Sequence, residues 1–171
     1  YVTQVTRLHR VEVYRIPDGG NGIFSANLNP PGMMVGGDVL SGRSLQELAF
    51  ITAKQLMMMG QHFYTATIDP TYERRKGRLF TIVYTVMKLV NPTAEVPFKD
   101  DDLLESFRSI PAADLQEISK IIAKMSENQQ QHLNLSKWLE MVEHSANRLA
   151  FVLSNDLGAA VRCIKNEPGQ F

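Results

Sequence analysis

A chain of 171 residues, 44% hydrophobic and 21% charged, carries enough apolar material for one domain with a sizeable core. Its 18 Lys and Arg balance its 18 Asp and Glu, so no global field draws it to nucleic acid or to an anionic membrane. No apolar stretch reaches the roughly 18 residues of a membrane span, no signal-peptide pattern opens the sequence, and the single Cys163 excludes an internal disulfide. A lone thiol fits a reducing compartment, and the expected location is cytoplasmic.

The first elements in chain order are short and extended. Residues 8–16 partly alternate, with Val11, Val13 and Ile16 among charged neighbours, and predict a strand. Pro17-Asp18-Gly19-Gly20-Asn21-Gly22 is a turn cluster, since Gly and Asn accept positive φ cheaply. Residues 23–28 and 33–35 predict two more strands around Asn29-Pro30-Pro31-Gly32. Ser44-Leu45-Gln46-Glu47 is a capping box that opens a helix over 44–59, with Gly60 as its stop. Leu45, Leu48, Ala49, Thr52, Leu56 and Met59 share one face of that helix. Phe50, Ile51 and Ala53 add apolar surface elsewhere, so burial on more than one side is expected.

The remainder predicts helices. One opens at Pro70, runs through the apolar stretch 79–90 and stops near Asn91-Pro92. Shorter ones follow over 100–109, where Asp100-Asp101-Asp102 suits a helix start, and over 111–125, where Leu115, Ile118, Ile121, Ile122 and Met125 share a face. Ser136 is the expected cap of a long helix to about 153, and Asp156 of a last one to about 164. Strands first and helices after make an α+β fold. There is no internal repeat at solenoid spacing, and Gln129-Gln130-Gln131 is only a short polar patch.

Two blocks carry a family resemblance: the first runs through Asn21-Gly22-Ile23-Phe24, the stretch from Gly32 to Leu40 and Ser44-Leu45-Gln46-Glu47-Leu48, and the second, much later, is Glu140-Met141-Val142-Glu143-His144-Ser145-Ala146-Asn147-Arg148. Their order and spacing resemble the gluzincin metallopeptidases of the HtpX type. The resemblance covers about half of the chain. It implies a zincin-like fold, in which a small sheet packs on a buried helix (44–59) and a long C-terminal helix (136–153) follows. It also implies the kind of degenerate domain found at the C-terminal end of large bacterial tetratricopeptide-repeat proteins. The expected organisation is a single domain over 1–171, cut from a longer chain.

That family places His-Glu-x-x-His on its zinc helix, because two His four apart meet one ion and the adjacent Glu acts as general base. Here the helix reads Lys54-Gln55-Leu56-Met57-Met58. Carried over by position, Lys54 stands for the first His, Gln55 for the base and Met58 for the second His. Glu143 keeps the type of the third ligand, and Asn147 replaces an Asp. One ligand in three builds no zinc site, Gln takes no proton from water at neutral pH, and a cationic Lys repels a metal. A carboxylate buried without its metal is costly, so the Lys54 ammonium is expected to replace the metal's charge and pair with Glu143.

Other candidates read as structural. The four histidines, His9, His62, His132 and His144, show no ligand spacing. Met57, Met58 and Met59, with Met33, Met34 and Met87, fit a core with irregular gaps better than a soft-metal site. Arg74-Arg75-Lys76-Gly77-Arg78 lacks interleaved aromatics and reads as a solvated helix end or loop. Gly19-Gly20-Asn21-Gly22 matches neither a P-loop nor a dinucleotide fingerprint. Cys163, on an apolar face with Ala159, Ala160 and Ile164, is a structural thiol. Asp100–Asp102 lacks the spacing of a calcium loop.

The expected function is therefore that of a catalytically inactive, pseudopeptidase domain. It would be a structural or protein-interaction module with no catalytic residue, metal or cofactor. Its partners would be another protein or other parts of the parent chain, not nucleic acid. The alternatives are a hydrolase with an unrelated site and a helical scaffold or regulatory domain without peptidase ancestry.

Overall fold

A computed structural model describes residues 11–16, 22–26, 28, 31–37, 39, 41–69, 72–97, 100–127 and 134–167. Among them are strands β1 (Glu12–Ile16), β2 (Ile23–Ala26) and β3 (Gly32–Gly36) and helices α1 (Leu45–Met58), α2 (Tyr72–Val90), α3 (Asp101–Phe107), α4 (Ala112–Glu127), α5 (Leu135–Ser154) and α6 (Leu157–Lys165). The fold is α+β, with a small N-terminal sheet and a mainly helical remainder. The chain divides into two compact units, one formed by residues 1–75 and 138–171, the other by residues 76–137.

In the first unit the strand order is β1-β3-β2, with β1 parallel and β2 antiparallel to β3. Met34 is the partner of Tyr14 on one side and of Phe24 on the other. The central strand is the most buried of the three, as Gly-Met-Met-Val-Gly would suggest. Gly32 sits at a close approach: a Cβ there would lie 3.0 Å from the Tyr14 ring and 3.4 Å from the Ala26 methyl, so a neighbour would have to shift. Met33, Val35, Val39 and Met59 form the core beneath the sheet. Residues 8–10 of the first expected strand and residues 17–21 of its turn lie outside the described residues.

The capping box at α1 is complete. Ser44 Oγ accepts from the Glu47 amide at 3.2 Å and Glu47 Oε2 accepts from the Ser44 amide at 2.8 Å. The face expected inward only partly is. Leu45 remains 77% exposed, whereas Phe50, Ala53, Lys54 and Met58 turn inside. The choice follows from partner size. Ala53 meets Ala150, Ala160 and Cys163, and small residues on three helices admit the close contact that buries Phe50. A helix apolar on two sides does not itself say which side meets them.

Ser136 is not the cap of the long helix. Asn134 precedes α5, and its Oδ1 accepts from the Lys137 amide at 2.9 Å. Asn155 adopts φ 49°, a left-handed conformation that Asn tolerates, between α5 and α6. Asp156 then caps α6, accepting from the Ala159 amide at 2.8 Å. A short 3-10 turn at Tyr64–Thr67, not foreseen, hangs on the sheet through Tyr64 Oη, which donates to the Ala26 carbonyl at 3.2 Å.

In the second unit, Asp100 caps α3 by accepting from the Leu103 amide at 2.9 Å. On α4, Leu115, Ile118 and Ile122 are half-buried but Ile121 is exposed, and the Met125 side chain lies outside the described residues. Pro70 also lies outside, and α2 ends at Val90 as expected. Among the described residues, no helix is long and apolar enough to cross a membrane.

Candidate functional site

The four positions singled out in the sequence lie on two helices of the first unit: Lys54, Gln55 and Met58 on α1 and Glu143 on α5. Lys54 and Met58 are four apart and share a helix face. Lys54 is the one buried charged residue among those described, with its side chain only 8% exposed. Its Nζ forms the expected ion pair with Glu143 Oε1. It also donates to both carboxylate oxygens of Glu167, at 2.7 and 2.5 Å. Glu143 and Glu167 are themselves largely enclosed, at 20% and 21% side-chain exposure.

Arg75 adjoins the cluster. Its Nη1 lies 3.9 Å from Glu143 Oε2, and its Nε donates to the Asp69 carbonyl at 3.0 Å, which holds the guanidinium in place. The described contacts thus set carboxylates against cations, the pairing that enclosed charges require. Burial nonetheless pushes the Glu167 carboxyl above its ordinary pKa, with Lys54 pulling it down and the Glu143 charge adding to the rise.

The remaining positions are committed to structure. Gln55 Nε2 donates to Ser25 Oγ on β2 at 2.6 Å, which ties α1 to the sheet. Met58 is buried. Asn147, one turn beyond Glu143, has a buried Oδ1 with no hydrogen-bond partner among the described residues. Chemically, an ammonium paired with three carboxylate oxygens carries no lone pair for attack. Among the described residues, no group of three or more His, Cys, Asp or Glu side chains has the arrangement of a metal site.

Glu167 and Arg75 were not anticipated. Glu167 follows α6 with no periodicity to mark it. Arg75 belongs to a basic run that reads as solvated, and Arg74 and Arg78 are exposed, but the run lies within the first turns of α2 and Arg75 turns inward. His62 and His144 are exposed, while His9 and His132 lie outside the described residues. Met33, Met58 and Met59 are core residues. Cys163 is a buried free thiol whose pKa burial raises.

A second feature lies along the other side of α1. Leu45, Leu48, Ala49, Thr52, Ala53 and Leu153 line an open apolar groove of about 390 Å³. Val152 and Leu157, in the adjoining parts of α5 and α6, are exposed. No family model matches the chain, nor does any curated protein or any solved structure.

Proposed function

We propose that the chain is a catalytically inactive, metallopeptidase-like domain with a zincin-like fold, which serves as a structural or protein-interaction module. The observation that carries the reading is Lys54. It stands where the HtpX-type motif has its first His, and its ammonium lies against Glu143, the position of the third ligand. A lysine in that place supplies the positive charge a metal would, without the chemistry. Two neighbours support the same reading. Gln55, at the position of the general base, is committed to Ser25, and Met58, at the position of the second His, is buried.

The interaction role draws support from the apolar groove beside α1 and from exposed Val152 and Leu157, which leave apolar surface for another protein or another part of the parent chain. Fold analogy does not by itself supply an activity.

The test is zinc content and zinc affinity of the purified protein, beside a Glu143→Ala control. The expected result is no stoichiometric zinc and no affinity above the control. Stoichiometric zinc that Glu143→Ala abolishes would overturn the reading.

A further inference from the structure

Exposed apolar side chains gather around the open groove along α1. Leu45, at its mouth, is 77% exposed, and Phe151, Val152, Leu157 and Val161 are exposed as well. Val152 and Leu157 bracket the short turn between α5 and α6, and Leu153, beside Val152, is a wall of the groove. Exposed apolar residues scattered singly are ordinary, whereas a set grouped about a concavity marks a seat for another molecule.

The walls choose the backbone of the occupant. Leu48, Ala49, Thr52 and Ala53 lie inside α1, so their amides and carbonyls are spent on the helix itself. An extended segment laid in the groove would lose water from its own backbone groups and find no ladder to join. A helix satisfies its backbone internally and needs only side chains to fill the space. Ala49, Thr52 and Ala53 make a low floor that admits close approach, and the stretch from Leu45 to Thr52 spans about 10 Å, two turns of an incoming helix.

Charge chooses its sign. Arg148 stands one turn before Val152 on α5, and Lys165 one turn after Val161 on α6, each exposed and on the side of its apolar neighbour. Neither has an ion-pair partner among the described residues. The carboxylates of this corner are engaged: Glu47 by Arg162 and the Ser44 amide, Asp156 by the Ala159 amide. Two cations are therefore left to face whatever covers the apolar residues.

We propose that the groove along α1 receives an acidic amphipathic helix of another protein, whose apolar side chains fill the groove while carboxylates beside them meet Arg148 and Lys165. The inference rests on the interaction-module part of the function proposed above and gives that partner a chemistry. A membrane surface fits less well, because bilayers take a projecting apolar face rather than a concave one.

The test titrates the whole chain into a fluorescent synthetic helix of about four turns, with Leu along one face and Glu on the other, and into a counterpart with Lys for Glu. Anisotropy should show the Glu helix binding at least about tenfold more tightly than the Lys helix, with Arg148→Glu/Lys165→Glu reversing that order. Leu45→Ser/Leu157→Ser should weaken both by about tenfold with Tm unchanged, since both side chains stand in solvent. If Tm falls, Thr52→Gln, which fills the floor, carries the same measurement. Equal binding of the two helices, or binding indifferent to the Leu and Thr52 substitutions, would overturn the proposal. So would tighter association with phosphatidylserine vesicles than with the Glu helix, or a dimer in light scattering that the Leu substitutions dissociate. Zinc plays no part in this readout: a chain that binds neither zinc nor helix loses this partner and keeps the inactive-domain reading.

Discussion

Helix α1 carries a carboxylate–cation contact at each end, and the two differ in depth. Near its start, Arg162 Nε donates to Glu47 Oε1 at 2.7 Å, joining α1 to α6. Here the cation is the exposed partner, Arg162 at 57% against 15% for Glu47, and the same Glu47 side chain also closes the capping box. Near the end of α1, Lys54 sits almost wholly enclosed between Glu143 and Glu167. The chemistry is alike at both ends, but water changes its consequence. A pair whose cation stands in solvent is screened and adds little, whereas removing an enclosed ammonium leaves its carboxylate short of a partner.

The largest expected effect tests that contrast. Lys54→Met should destabilise the fold by about 3 kcal/mol, because it takes from the enclosed Glu167 the ammonium that donates to both of its oxygens and from Glu143 its nearest described cation. Urea denaturation of the variant beside wild type measures it, and a loss no greater than that of a surface substitution would erase the distinction between the two ends. Gln55→Ala, which removes the donor to Ser25, should cost about 1–1.5 kcal/mol by the same measurement. Ser44→Ala removes the N-cap of α1 and should cost about 1 kcal/mol, with Ser44→Gly recovering most of it.

The smallest effect belongs to the Glu47–Arg162 contact, and pH reveals it. The bond from Arg162, with the Ser44 amide, pulls the Glu47 carboxyl from 4.5 to about 2. The folded state therefore holds fewer protons than the unfolded chain between those values. The contact stabilises the fold fully above pH 4.5 and is lost as pH falls toward 2. Glu47→Gln preserves the capping box and removes the charge. Melting curves should show a small deficit for this variant at neutral pH that shrinks on acidification. A deficit constant from pH 7 to 3 would show that the charge contributes nothing.

Much of the architecture was legible because local chemistry dictates it. Ser44 and Glu47 announce the start of α1, Asp156 that of α6, and Asp100 that of α3, each through a side chain that satisfies amides beside it in sequence. The cap of α5 was misjudged by two positions, since Asn134 and Ser136 both have the required oxygen and only the backbone path decides between them. The Lys54–Glu143 pair is legible through the resemblance, because an enclosed carboxylate without a metal needs another positive charge. Glu167 and Arg75 are not legible. Their roles depend on where the segment after α6 and the first turns of α2 arrive in space, and no short-range pattern encodes that arrival.

What the sequence alone determined is an α+β chain with no excess charge, the starts of α1, α3 and α6, and an α1 whose Lys54-Gln55-Leu56-Met57-Met58 lacks zinc ligands. What only the tertiary structure decided is which side of α1 is core and how many carboxylates share Lys54. Hydrogen bonds at a helix start are made between residues three apart, so sequence spacing specifies them. Packing and charge neutralisation act between residues such as Lys54 and Glu167, 113 positions apart, and depend on the meeting of whole elements.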